Sequence, residues 1–164
     1  MTNPTGTAWQ LHAAQMEWTG KVDVKAGFVL TLNVAAIATA VALSGDGMVF
    51  HGITASGPQA TYGFSLLLFI AAALFATWAV APALRPGKLE EEAKADFIYF
   101  GHARYWEAHD LAEVLKEQEP LPIVTRQVVR MAKIAWTKHL LVVLSTWLTG
   151  AGVVLLALTG WALS

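Results

Sequence analysis

Three stretches of this chain, residues 26–44, 62–84 and 140–163, are apolar over the length of a membrane-crossing helix and hold no charged side chain. A bilayer core about 30 Å thick takes roughly 20 residues of helix, and in hydrocarbon every backbone polar group must be bonded within its own segment or closed sheet. The expectation is an all-α integral membrane protein with three transmembrane helices and long cytosolic helical extensions.

Charge then orients it. All eleven Lys and Arg residues fall in two blocks, 21–25 and 85–138, and residues 45–61 between the first two runs have none. Lys and Arg of short loops are kept on the cytoplasmic side, so the two blocks are expected inside, the 45–61 loop outside, the N-terminus cytosolic and the C-terminus outside. The organisation expected is a cytosolic N-terminal helix over 1–25, two spans within 26–84, a cytosolic helical region over 85–138 and a third span over 139–164. The first run starts late, follows charged residues and lacks a short apolar region with a cleavage pattern, so it reads as a retained span.

Thr7 with Gln10 offers a capping box for the first helix, which runs into the membrane unbroken. The glycine-rich loop 45–61 reads as a connector. Pro82 sits near the end of the second span and Pro86-Gly87 ends it. Residues 89–119 read as one or two helices with a break at Gly101. Pro120 and Pro122 mark a new start, and a single helix runs from about Leu121 to Leu163, roughly 60 Å at 1.5 Å per residue.

Function classes narrow by what is missing. There is no cysteine, hence no disulfide and no thiolate metal site. The histidines, His12, His51, His102, His109 and His139, lack metal-ligand spacing, so no metal is expected. No catalytic residues are expected either, because nucleophile–base pairs, phosphate loops and paired intramembrane carboxylates are not visible. A net charge of −1 argues against nucleic acid as a partner. Membrane lipid is expected as a partner, and no cofactor is expected.

The binding candidates are few. Arg126, Arg130 and Lys133 stack three cations on one face of the last helix; they read either as an anchor on anionic lipid or as a site for a ligand phosphate. The segment around Gly101 carries Phe97, Tyr99, Phe100, Tyr105 and Trp106. Those rings form either a core with Arg104 stacked on Tyr105 or Trp106, or a base-stacking shelf with Arg104 as donor. Asp23 and Lys25 stand at the mouth of the first span. Lys25 snorkels, whereas Asp23 wants a cation such as Arg126, Arg130, Lys133 or Lys138, making an inter-helix latch. Asn33, alone of its kind within the spans, is expected to bond across a helix interface. Small pairs Ala36 with Ala40, Ala72 with Ala76 and Thr146 with Gly150 allow close helix approach. Three spans enclose no pore, so conduction would need a homo-oligomer.

The set Asp23-Val24-Lys25-Ala26-Gly27, Tyr99-Phe100-Gly101-His102-Ala103-Arg104, and Arg126-Gln127 continuing through Met131, Ile134-Ala135-Trp136 and Lys138-His139 resembles bacterial Pycsar effectors of the transmembrane type. The resemblance spans most of the chain, in order. It implies an antiphage effector of the inner membrane, triggered by a cyclic pyrimidine nucleotide (cCMP or cUMP) from a partner cyclase, that impairs membrane integrity and aborts infection. The chain lacks the β-roll of a standard cyclic-nucleotide-binding domain, so a nucleotide would need a helical or interfacial pocket. The competing readings are a constitutive scaffold recruiting a partner through residues 89–119, and a membrane-embedded enzyme or transporter, which would need more polar residues at the bilayer midplane.

Overall fold

Asn3 and Pro4 start the first helix. In the computed structural model, which describes residues 3–82 and 89–164, the Asn3 side chain accepts from the Gly6 N–H at 3.0 Å. Pro4 occupies the first helical position, where its missing N–H costs nothing. The capping box expected at Thr7 therefore does not form: Thr7 lies inside the helix, and its hydroxyl donates back to the Asn3 carbonyl at 3.2 Å.

From that cap α1 (Pro4–Ala42) runs unbroken, followed by α2 (Ser56–Val80), α3 (Leu89–Ala93), α4 (Phe100–Ala103), α5 (Ala108–Glu117) and α6 (Leu121–Leu163). No strand occurs among the described residues. Helices α1, α2 and α6 are each long and apolar enough to cross a membrane. At 39 and 43 residues, α1 and α6 are roughly 58 and 64 Å long, about twice what a bilayer core needs. The protein is an all-α membrane protein.

Boundaries differ from the sequence reading where proline and glycine act within a turn. Helix α2 begins at Ser56, inside the stretch read as loop, because Pro58 falls in the first turn, where backbone N–H groups have no intrahelical acceptor. It ends at Val80; Ala81 is extended at φ −55 and ψ 136, as a residue before proline prefers. Pro82 thus does the work assigned to Pro86-Gly87, which lies outside the described residues. Gly101 is no break: it sits within α4, where an added Cβ would force the Tyr99 ring to shift. The region 89–119 accordingly holds three short helices, where one or two were expected.

The chain forms two compact units, Lys21–Ala81 with Thr137–Ser164, and Met1–Gly20 with Pro82–Trp136. In the first, Gly47 and Gly52 take positive φ of 75 and 61, open to glycine without strain, and turn the chain between α1 and α2. Phe50 is buried there against the Tyr62 ring at 5.1 Å. The Tyr62 hydroxyl bonds Ser44 at 2.6 Å and the Ala40 carbonyl at 3.1 Å, so this connector is pinned to both helices.

Close packing in this unit uses small residues. Ala26, Ala40, Ala72, Ala76 and Ala79 are fully buried, and at Gly152 an added Cβ would lie 2.8 Å from the Phe69 ring. Between membrane helices such surfaces supply van der Waals contact where no hydrophobic drive exists. Thr146 and Gly150, read as a contact pair, are exposed; the buried edge of α6 runs instead through Lys138, Ser145, Gly152 and Thr159, an unbroken heptad. Outside, Phe28, Leu67, Leu74 and Trp147 are exposed, as lipid-facing side chains are.

Candidate functional site

An acidic turn lies against the cationic face of α6. Helix α3 carries Glu90, Glu91 and Glu92 in its first turn, and the chain leaves it through turn bonds from the Ala95 and Asp96 N–H groups to the Glu92 and Ala93 carbonyls. That turn presents the Ala95 carbonyl to Arg126, which donates to it at 3.0 Å. It also presents the Asp96 carboxylate to Arg130, which donates at 2.9 Å, with Glu92 4.0 Å from the same guanidinium. Arg126 and Arg130 are four residues apart and so share a face. Lys133, one turn on, is exposed.

His102 completes the cluster. It is fully buried, with Nε2 3.3 Å from Glu92, Nδ1 3.8 Å from Asp96, and the Tyr99 ring edge-on at 5.3 Å. Among the described residues neither nitrogen has a hydrogen-bond partner, nor do the second oxygen of Asp96 and the buried indole N–H of Trp106. Buried polar atoms are nearly always satisfied, and those that are not mark missing water, an ion or a functional role. Asp96 is only 3% exposed, and a carboxylate that buried needs a cation, which Arg130 supplies.

Arg104 is placed elsewhere. It is exposed, its guanidinium sits 4.7 Å from the centroid of the Tyr105 ring, and it donates to the Tyr105 hydroxyl at 2.6 Å. The stacking partner is thus Tyr105 and not Trp106. Phe100 is 68% exposed, whereas Trp106 is half-buried.

Within the other unit, Lys138 donates to Asp23 at 2.6 Å, the one of the four cations weighed for Asp23 that takes the position. Lys25, two residues on, is exposed. Asn33 is fully buried and exchanges hydrogen bonds with Thr149 at 2.9 and 3.1 Å. Ser145 donates to the Ala72 carbonyl at 2.7 Å, and Thr61 bonds Thr159 at 2.8 Å. Among the described residues no three of His, Asp and Glu converge to hold a metal ion.

One unit thus joins membrane helices through buried polar pairs, and the other holds Arg126 and Arg130 on an internal acidic turn. The family model described as the Pycsar effector protein domain matches residues 7–164, nearly the whole chain. The chain belongs to that family. Searches of curated proteins and of solved structures found no match. As a Pycsar effector it is an antiphage defence protein, and its three membrane-length helices make it a transmembrane one.

The sequence reading missed several residues that this Pycsar effector brings together, Glu92 and Asp96 in one unit and Ser145, Thr149, Thr159, Thr61, Ser44 and Tyr62 in the other, and it weighed His102 only as a metal ligand and within the family motif. Two signals were available. Asp96 stands among Ala93, Ala95, Phe97 and Ile98, so a carboxylate there is apt to be buried and to need a cation. On α6, Lys138, Ser145, Gly152 and Thr159 repeat every seven residues, the period of a helix seam.

Proposed function

We propose that this Pycsar effector senses a cyclic pyrimidine nucleotide, cCMP or cUMP, made by a partner cyclase, and responds by impairing the integrity of the bacterial inner membrane, which aborts infection. Membership of the family carries the reading. The separation of Lys and Arg from the 45–61 loop supports a cytosolic N-terminus and an outward C-terminus. No step of bond-making chemistry is required; the effector acts as a ligand-gated homo-oligomer in contact with lipid.

The cationic face of α6 supports a site for the ligand phosphate. Arg126 and Arg130 are pre-oriented by the Ala95 carbonyl and the Asp96 carboxylate, so the cyclic phosphate competes with those oxygens for the same donors. Planar guanidinium groups suit phosphate oxygens, and an ammonium does not reproduce their geometry. Lys133 adds charge to that face. Trp106 and Arg104, on the segment after α4, are the candidates for contact with the base. Helix α6 is continuous from Arg126 to Thr159, so exchange of a carboxylate for a phosphate acts on the helix that also bears the partners of Asp23 and Asn33. Those two contacts serve as inter-helix latches, with Lys25, two residues from Asp23, anchoring α1 at the interface.

The test is expression with a cyclase during phage infection, followed with a membrane-potential dye. Depolarisation before lysis is expected. Protection with the potential intact would overturn the membrane mechanism. A reporter fused after Ser164 is expected outside and one inserted near Lys116 in the cytosol; the reverse pattern would overturn the orientation.

A scaffold role is favoured by one observation. Helix α5 has no buried residue and leaves Leu115 55% exposed, an apolar position open to a partner. Replacing Leu115 with Lys separates the two: it abolishes protection if α5 recruits a partner and leaves it intact if the effector acts alone.

A further inference from the structure

In the unit Lys21–Ala81 with Thr137–Ser164, exposed threonines bond within their own helix, as does the buried Ser65, to the Tyr62 carbonyl at 2.7 Å, whereas the inner edge of α6 bonds across helices. Thr31, Thr77 and Thr146 are exposed and return their hydroxyls to their own helices, at the carbonyls of Gly27 (3.0 Å), Ala73 (2.8 Å) and Val142 (2.8 Å). Lys138, Ser145, Thr149 and Thr159 bond across helices, to Asp23, the Ala72 carbonyl, Asn33 and Thr61. From Lys138 to Thr159 is three heptads, or roughly 32 Å of helix, and a hydrocarbon core is about 30 Å thick. The inward polar edge therefore traverses the membrane.

One ring interrupts it. Between Thr149 and Thr159 the edge carries Gly152, and the fully buried Phe69 lies on it, with the ring 2.8 Å from where a Cβ would stand. Apolar constrictions in otherwise polar paths close them by excluding water.

We infer that this edge is a latent ion path and that Phe69 seated on Gly152 is its gate. The inference rests on the reading that the effector impairs the membrane, and it names the side chains that do so. Interhelical hydrogen bonds hold membrane helices only weakly, and small apolar residues would pack these positions as well. Hydroxyl and amide groups facing one another exchange each other for water or a hydrated monovalent ion at small cost. Asp23 and Lys138, ion-paired at 2.6 Å, stand at one mouth. When α6 parts from α1 and α2, the apolar outer faces stay in lipid and the polar edge lines the gap. The number of copies closing the ring does not change which side chains meet water.

The absence of cysteine makes the test direct. Full-length protein carrying Ser145→Cys, Thr159→Cys or Thr146→Cys is reconstituted in liposomes and treated with a charged, membrane-impermeant methanethiosulfonate, with and without cCMP and cUMP. The expected result is modification of Cys at 145 and 159 only with the activating nucleotide, with loss of ion flux, and no effect at 146. Flux with 145 and 159 unmodified and 146 modified would overturn the inference and point to disruption at the lipid-facing surface. Phe69→Ala, in the Ser145→Cys background, needs no nucleotide: it is expected to leak and to be blocked by the reagent, with Phe69→Leu leaking less. If neither nucleotide drives flux but Phe69→Ala leaks through a reactive position 145, the sensing reading falls and the path stands. If folded Phe69→Ala and Phe69→Leu are both tight, the path falls.

Discussion

The two units solve the same problem, a polar group taken out of water, in opposite ways. In the unit Lys21–Ala81 with Thr137–Ser164, the inward polar groups meet in matched pairs, such as Asn33 with Thr149 and Thr61 with Thr159. In the unit Met1–Gly20 with Pro82–Trp136, charged groups crowd around Arg130. Every buried side-chain atom without a partner among the described residues belongs to that unit, on Asp96, His102 and Trp106. Within hydrocarbon an unmet group has no water to fall back on and is costly. Outside it, spare donors and acceptors persist where water or a ligand can reach them. Under the proposed function, recognition falls to the unit with unmet capacity and movement to the unit whose pairs are complete.

The largest effect that tests this contrast is at Arg130. Removing it strands the buried Asp96 carboxylate. Breaking a buried ion pair from one side costs about 3–5 kcal/mol, and Arg130→Ala is expected at the lower end because its side chain is about a third exposed. Thermal melting in detergent measures it. Adding Asp96→Ala to Arg130→Ala should recover most of the stability and none of the nucleotide affinity. Recovery of both would sink the phosphate role of Arg130 and leave the pair purely structural.

A middle-sized effect is expected at Arg126, which is exposed and donates to the Ala95 carbonyl. Its loss leaves no buried charge, so melting should hardly move. If it binds phosphate, the charge-assisted hydrogen bond lost is worth about 1.5–3 kcal/mol, or roughly tenfold or more in affinity for cCMP or cUMP by calorimetry. Arg126→Lys should recover part of that, since charge returns without the planar fork. Unchanged affinity in Arg126→Ala would return the residue to the role of lipid anchor.

How much of this was legible follows the same division. The spans were, because lipid tolerates no charge and the sequence omits it there. The whole of α6 was, because Pro120 and Pro122 start it and no later residue must stop it. Which face of α6 turns inward was legible only through the seven-residue spacing of Lys138, Ser145, Gly152 and Thr159, since the apolar residues of a helix apolar all round carry little directional signal. Four-residue spacing pointed instead to Thr146 and Gly150, which are exposed. The partners of Arg126 and Arg130 were hidden for another reason. Ala95 and Asp96 lie 31 and 34 residues before them, beyond any local periodicity, and reach them only because three short helices fold back where one or two were expected.

The smallest effect is at the Asn33–Thr149 pair, and it bears hardest on the claim that the membrane unit is built to part. Hydrogen bonds between membrane helices contribute about 0.6 kcal/mol on average and up to ~2 kcal/mol, because the separated helices find other partners. Asn33→Leu and Thr149→Val should each lower stability within that range. The double variant should cost no more than the larger single one, the mark of one shared interaction. A coupling near 0.6 kcal/mol means the pair yields readily when α6 moves, and removing it should ease opening and lower the nucleotide concentration needed for flux. A coupling near 3 kcal/mol, as large as the loss expected for Arg130→Ala, would break the contrast between the units: the membrane pairs would then be clamps, and movement would have to be sought in the other unit.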